Sequence, residues 1–264
     1  MHHTLETILL SAKESFFMAL NAIKINKLRS FLTLLGIAVG VFSIIGVMTA
    51  MGALVNSIEQ GMSELGANTF QVQKYPAFGH GGPRERAKYR NRKDLSYEDG
   101  LLVKEHASFA KAVGLESWEG GRIVKLASGE KTNPEIGVAG EDVDGFTTNN
   151  WNILEGRLFT NQEVASARRV TVLGMSVVKK LFPHSNPLGQ SIRVDGKEYE
   201  VIGTIEPRGQ MLGGNQGNYI AIPITTFLQV YGKDRSIHIM VQSTAPETFD
   251  DCVEQVKGIL RTAR

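Results

Sequence analysis

The sequence predicts an α+β protein: one N-terminal transmembrane helix followed by an extracytoplasmic α+β domain. Three observations predict it. A run of 24 residues, Phe31 to Leu54, contains no Asp, Glu, Lys, Arg or His. Basic residues stand immediately before that run, and the first charge after it is Glu59. Beyond it, short strand patterns of period two mix with helical patterns of period 3.6, punctuated by glycine turns.

Composition sets the frame. The chain has 264 residues, a net charge of +2 and 42% hydrophobic residues. That length supplies one or two domains with real cores, and the ordinary apolar fraction excludes a bundle of membrane helices. The apolar residues are concentrated in FLTLLGIAVGVFSIIGVMTAMGAL, residues 31–54. As a helix this run is about 36 Å long, enough to cross a hydrocarbon core of about 30 Å with some tilt. A buried helix of a soluble protein is the bland alternative, but uncharged runs of this length exceed ordinary globular helices. A cleaved signal peptide is the other. Its apolar region is typically about 7–15 residues and lies close to the N-terminus, whereas 30 residues precede this one.

Orientation follows from charge. Lys24, Lys27 and Arg29 precede the span, so the positive-inside rule places the N-terminus in the cytoplasm and the chain after residue 55 outside. The expected localisation is the bacterial plasma (inner) membrane. Residues 1–30 form the cytoplasmic, interfacial part. Within them, residues 4–26 place Leu5, Ile8, Leu9, Ala12, Phe16, Ala19, Leu20 and Ile23 at spacings of three and four. That pattern suits a helix lying on the membrane surface, and equally one packed on a cytoplasmic partner. Inside the span, Gly36 and Gly40 form a GxxxG, and Ser43 and Gly46 continue the small residues. Small residues let membrane helices approach closely, although glycine is common in such helices anyway.

Past the membrane, Val55 to Ala67 continues the helix outward, with Gly66 as its stop, and Thr69 to Gln73 reads as the first strand. Lys74 to Asp94 then changes character, with seven basic and two acidic residues, so that it carries +5 and the rest of the chain −3. Its glycines and prolines predict a solvated loop. Anionic lipid or an acidic partner are its other readings, and nucleic acid is excluded by the expected location.

The remainder alternates helix and strand. Leu95 to Ser108 predicts a helix, with Ser96 and Asp99 at capping-box spacing. Val113 to Trp118 and Arg122 to Ala127 predict a strand pair turned by Gly120-Gly121. Asn161 to Ala167 and Ser176 to Phe182 predict helices around a short strand, Arg169 to Leu173. Gln190 to Val194 and Glu198 to Ile205 predict a hairpin across Asp195-Gly196, closed off by Pro207. Residues 207–217 predict a loop. Tyr219 to Ile222 and Ser236 to Val241 read as strands, Thr225 to Tyr231 and Pro246 to Thr262 as helices.

A search for chemistry yields almost nothing, so no catalytic, cofactor-binding or metal residue is assigned. No GxxxxGK[ST] loop for ATP phosphates and no GxSxG is present. Among the six histidines, at 2, 3, 80, 106, 184 and 238, only His2-His3 has metal-ligand spacing. The single cysteine, Cys252, sits beside Asp250 and Asp251 in a polar helical stretch, where acidic neighbours disfavour a thiolate. It has no partner for an intrachain disulfide, so the outer domain is expected to stand on its core alone.

Between Glu155 and Thr226 the chain carries EGR-x-F at 155–159, RRVTVLG at 168–174, LF at 181–182, NPLGQSIRVDG at 186–196 and EVIGTI at 200–205. With these residues the stretch resembles the extracytoplasmic core domain of MacB-type, FtsX-like permeases of ABC transporters. KINKLRSFLTLLGIAVGV at 24–41 and LGANTFQVQ at 65–73 extend it over nearly the whole chain. Glycine roles read locally beside it: Gly174 caps a strand-to-helix turn, Gly189 follows Pro187 in a tight turn, and Gly196 supplies positive φ to the hairpin.

The resemblance implies a permease that is not itself an enzyme, in a homodimer or heterodimer, with ATP bound only on a separate ABC ATPase subunit. A periplasmic adaptor protein and membrane lipid are further partners it admits. It also implies a two-lobed outer domain over 55–264, with one lobe drawn from about 67–130 and 218–262 and an inserted lobe at about 131–217. Such permeases carry four membrane helices, one before the outer domain and three after it. With a single span at 31–54, the chain is expected to be a fragment or half of a split permease. Its expected function is to couple ATP hydrolysis on the separate subunit to movement of the outer domain and to export. Two rivals stay open: a lipoprotein-releasing permease, and a membrane-anchored binding module without transport.

Overall fold

An uncharged apolar segment has no penalty for continuing as one helix, and nothing interrupts it before Glu64. The resulting helix α1 (Lys27–Glu64) is 38 residues long. The structure, a computed structural model, describes residues 13–19, 21–22, 24–64, 68–75, 89–207 and 217–263. It divides into two units, Met1–Ile58 and Glu59–Arg264. Of the expected surface helix over 4–26, residues 13–19, 21–22 and 24–25 are helical, Asn26 is a turn residue, and the others lie outside the described residues. The stop expected at Gly66 also lies outside them, as does most of the basic segment 74–94 and of the loop 207–217.

Among the described residues, the second unit is built on a sheet of ten strands. They are β1 (Thr69–Val72), β2 (Ala110–Arg122), β3 (Val124–Leu126), β4 (Ile136–Glu141), β5 (Ile153–Gly156), β6 (Val170–Leu173), β7 (Ser191–Val194), β8 (Lys197–Ile205), β9 (Tyr219–Pro223) and β10 (His238–Ser243). Their order is β1-β10-β2-β4-β9-β6-β8-β7-β3, with β5 on β8. Two pairings are parallel, β4 with β9 and β6 with β8. The helices are α2 (Tyr97–His106), α3 (Val143–Thr148), α4 (Asn161–Ala165), α5 (Met175–Leu181), α6 (Ile224–Tyr231) and α7 (Phe249–Thr262), the last preceded by a 3₁₀ turn at Pro246–Thr248.

Local chemistry explains several of these elements. Helix α2 starts where the Ser96 hydroxyl accepts from Asp99 N–H and the Asp99 carboxylate accepts from Ser96 N–H, each at 3.0 Å. This is the predicted capping box, which satisfies two backbone donors that a helix start leaves unpaired. The β7–β8 hairpin turns at Asp195 (φ 48°) and Gly196 (φ 77°), the two positive angles that a type I′ turn needs. Gly174 is the residue before α5, and Gly189 takes φ 74° where Gln190 N–H donates to Pro187 O.

One expectation fails. Gly120-Gly121 does not turn a hairpin between 113–118 and 122–127. Strand β2 runs through both glycines to Arg122, and its partners are β10 and β4, not β3. The glycines instead form an irregularity in the β2–β4 ladder between Glu119 and Arg122, with Gly121 at φ 72°. An unpaired pair of residues on one strand bends it without reversing it. Strand β3 crosses to β7, where Val124 faces Val194. Strands β4 and β5 and helix α3, all within 128–156, were not anticipated.

Both faces of the sheet are covered. On one, Leu115 is buried beneath α2, with its Cδ atoms against Gly100, and α7 closes the edge by setting Phe249 against Phe70 at 5.5 Å. On the other, α3 lies so close to β2 that a Cβ on Gly114 would fall 2.6 Å from Gly145 Cα. Helix α6 joins the two ends of the sheet. Its Phe227 packs on Gly140 of β4, and its Thr226 hydroxyl donates to Arg168 O at 3.0 Å beside β6. Tyr231 at its end donates to Asp195 Oδ2 at 2.8 Å in the β7–β8 turn.

Candidate functional site

Two features of the chain have no explanation in a soluble globular core. The first is the surface of α1. Lys27–Val55 is 29 residues long and apolar enough to cross a membrane by length and composition, and none of it is buried. Phe42 is 78% exposed and Ile37 64%, a state that water would penalise by about 1.5–3 kcal/mol for each such side chain left unburied. Three hydroxyls on this helix bond to its own backbone. Thr33 donates to Arg29 O, Ser43 to Val39 O and Thr49 to Ile45 O, each at 2.8 Å. That is the arrangement a hydroxyl needs where no water is available. Around Gly36 and Gly40 a Cβ would meet nothing within 4 Å. Lys27 and Arg29 lie in the first turn of the same helix, and Lys24 lies in the helical residues just before it.

The second is a buried polar network under α3. Glu116, on β2, is buried and accepts from Gln71 Nε2 of β1 at 3.2 Å and from Asn149 Nδ2 at 2.9 Å. His238 Nδ1 of β10 lies 3.2 Å from the same Oε1 that Gln71 reaches. Glu141 on β4 stands opposite Glu116 in the ladder and is fully buried. Its neighbour Asp142 caps α3, accepting from Gly145 N–H at 2.8 Å and Leu115 N–H at 3.1 Å, and pairs with Lys104 Nζ at 2.7 Å. Burial pushes Glu141 well above the usual carboxylate range, and the charges of Glu116 and Asp142 push it further. Burial acts on Glu116 in the same sense, but the hydrogen bond and charge of His238 and the Asn149 amide outweigh it, so that carboxyl titrates below its ordinary value.

Sequence reading passed over this network. His238 has no ligand-like neighbour in the chain, and Glu116, Glu141 and His238 meet only because β2 pairs with both β10 and β4. Among the described residues no group of three or more His, Cys, Asp or Glu is arranged to hold a metal ion. Cys252 is buried, and burial pushes its thiol pKa up. The cause is the core around it and not the adjacent Asp250 and Asp251.

The motif residues singled out in the sequence have structural tasks. Gly156 adopts φ 82°, and a Cβ there would collide with Ile202 O of β8. Arg157 forks onto Glu163, and Phe159 is buried against Phe146 at 5.2 Å. In the RRVTVLG stretch, Val170, Val172 and Leu173 are fully buried.

An exposed membrane-length helix leading into a mixed sheet, with its marked glycines and arginines spent on folding, is the arrangement of a folded domain joined to a membrane anchor. Residues 30–259 match the family model of the MacB-like periplasmic core domain, and the chain belongs to that family, in the context of ABC-transporter permeases. The macrolide export ATP-binding/permease protein MacB of Chlorobium luteolum is 27% identical over 248 residues, covering 92% of this chain and 36% of that protein. The protein of the same name from Rhodopirellula baltica is 28% identical over 211 residues, covering 79% and 30%. The chain thus spans about a third of the length of these relatives. The crystal structure of the periplasmic region of MacB from Actinobacillus actinomycetemcomitans superposes with a TM-score of 0.63 at 20% identity, over 76% of this chain and 86% of that one. The extracellular domain of the noncanonic ABC-type transporter YknZ from Gram-positive bacteria gives 0.57 at 19% identity, over 74% and 94%. These superpositions establish the shared fold.

Proposed function

We propose that this chain is the N-terminal, membrane-anchored portion of an ABC-transporter permease, whose outer domain moves when ATP is hydrolysed on the cytoplasmic side and so drives export. The observation that carries the reading is the conjunction of the unburied helix Lys27–Val55 with a match to this family's core-domain model that runs from residue 30, within that helix, to residue 259. Lys24, Lys27 and Arg29 support a cytoplasmic N-terminus in the inner membrane. Gly36 and Gly40, with open space beside them, support packing of α1 on another membrane helix, in a homodimer or heterodimer of permeases. The outer domain is read as two lobes, one from about 67–130 and 218–262 and an inserted one at about 131–217. No cofactor is assigned to this chain.

The ATPase is read as a separate subunit. A second reading, in which the ATP-binding region belongs to the same polypeptide, is favoured by the relatives, which are named ATP-binding/permease proteins. Affinity purification of the native complex from its own membranes distinguishes them. ATPase activity that copurifies with a second band supports a separate subunit, and activity residing in the tagged polypeptide supports fusion. Membranes in which the tagged protein associates with no ATPase in either form would refute the transporter reading and favour an anchored binding module. A periplasmic adaptor should be retained by crosslinking in the same preparation. Lipoprotein retention in a deletion strain would point instead to a lipoprotein-releasing permease.

A further inference from the structure

Glu116 and Glu141 are cross-strand partners on β2 and β4, both buried on the face that α3 covers. Their surroundings are unequal. Glu116 is held by Gln71, His238 and Asn149 from three different elements. Glu141 receives a long contact from Asn149 Nδ2, at 3.4 Å, and shares with the Glu116 carboxyl a hydrogen bond that favours its protonated form, while no donor among the described residues reaches its buried Oε2. That oxygen sits directly beneath Gly145, where a Cβ would collide with it. A lone buried carboxylate oxygen without a donor is costly, whereas a neutral carboxyl there is not. Two carboxyls in this contact cannot both be ionised cheaply.

We propose that Glu116 and Glu141 share one proton across the β2–β4 ladder and that this proton latches α3 onto the sheet. Glu141 carries the proton and Glu116 is the carboxylate. When the proton leaves to water or a buffer base, two like charges face each other under Gly145, and α3 loosens. The helix is the right element to respond. It is only six residues long, seats on β2 by close approach of Gly145 to Gly114, and runs straight into Asn150 (φ 52°) and β5, the link to the β5–β8 end of the sheet. The latch is independent of the transport reading.

The groups that face the pair are few. Asp142 follows Glu141 directly and is paired with Lys104 of α2, which also holds Asp144 of α3 at 2.6 Å. Tyr97 lies at the start of α2 within the field of Asp142 and Lys104. His238 comes from β10, and β1 offers only neutral residues. Helix α6 packs on the opposite face of β4 and has no charged residue. Of these, the Lys104 ammonium pairs with Asp142 and Asp144 and the His238 ring contacts Glu116, and neither reaches Glu141.

The sign is fixed by the direction of the shift. Glu141 is raised, so the latched form binds its proton more tightly than the open form. The stabilisation is complete below the ordinary value of 4.5 and is lost as pH rises toward the raised value. The test uses the full chain in detergent, comparing wild type with Glu141→Gln, which keeps the shape but cannot ionise. Amide exchange across 143–149 in wild type should accelerate relative to the variant by on the order of tenfold per pH unit within that window. Parallel exchange in the two proteins at every pH would overturn the proposal. Infrared spectra of the wild type alone decide the matter even if the variant misfolds. A protonated-carboxyl band that persists above pH 4.5, where an ordinary glutamate has ionised, and bleaches as pH rises further supports the latch, and its absence throughout that range overturns it.

Discussion

Arg157 and Glu163 are joined by two parallel hydrogen bonds, Nη1 to Oε2 and Nη2 to Oε1, each 2.8 Å long. Glu163 also closes the capping box of α4, accepting from Thr160 N–H at 2.9 Å. One carboxylate therefore fixes both the start of a helix and the chain leaving β5. The guanidinium, followed by the Thr160 bonds, holds Glu163 down at about 2 against the opposing effect of its burial. Replacing Arg157 with Gln should cost about 1–3 kcal/mol at neutral pH, moderated because Arg157 is half-exposed. A carboxylate with a depressed value stabilises the fold above its ordinary 4.5 and loses that effect as pH falls through the folded value. The difference between wild type and Arg157→Gln in urea unfolding should accordingly narrow between about pH 4.5 and about pH 2. A difference that stays constant over that interval would separate the bond from stability.

Gly114 permits the contact between β2 and α3. A Cβ there would strike the Thr148 hydroxyl and fall 2.6 Å from Gly145 Cα, with backbone on both sides unable to yield. Gly114→Ala should destabilise the outer domain by about 1–3 kcal/mol. Gly120→Ala, where nothing lies within 4 Å, should be tolerated. Equal melting temperatures for the two variants would refute the close approach.

Val41 lies near the middle of the expected span. An aspartate at that position should cost membrane insertion about 2.5–3.5 kcal/mol. Membrane fractionation of Val41→Asp reads this directly. A variant that remains fully membrane-integrated would show that another segment anchors the chain.

Reporter fusions after residue 20 and after residue 160 test orientation. The charges of Lys24, Lys27 and Arg29 require a cytoplasmic signal from the first and an exterior signal from the second. The opposite pattern would reverse the whole topology.

What could be read in advance was whatever is decided within a few residues of itself. The Asp195-Gly196 turn, the Ser96–Asp99 capping box and the helix over Thr225 to Tyr231 each depend on backbone preferences and neighbours three or four positions away. The misread turn at Gly120-Gly121 shows the limit. Two glycines allow a reversal but equally allow a bulge, and the choice fell to the partner strand, because Arg122 continues the ladder opposite Ile136. Strand β4 escaped notice for a similar reason. Covered on both faces, it reads IGVAGE, with neither the alternation of a half-exposed strand nor enough length to stand out.

The sequence by itself determined that a segment too long and too apolar for water joins a mixed α+β domain, since hydrophobic length and charge placement require no partner to have their effect. The tertiary structure alone decided where the buried acids meet. Glu116, Glu141 and His238 are separated by up to 122 residues along the chain, and nothing local distinguishes them from other polar positions. Only the pairing of β2 with β10 on one side and β4 on the other brings them within hydrogen-bonding distance, in a setting dry enough for a single proton to matter.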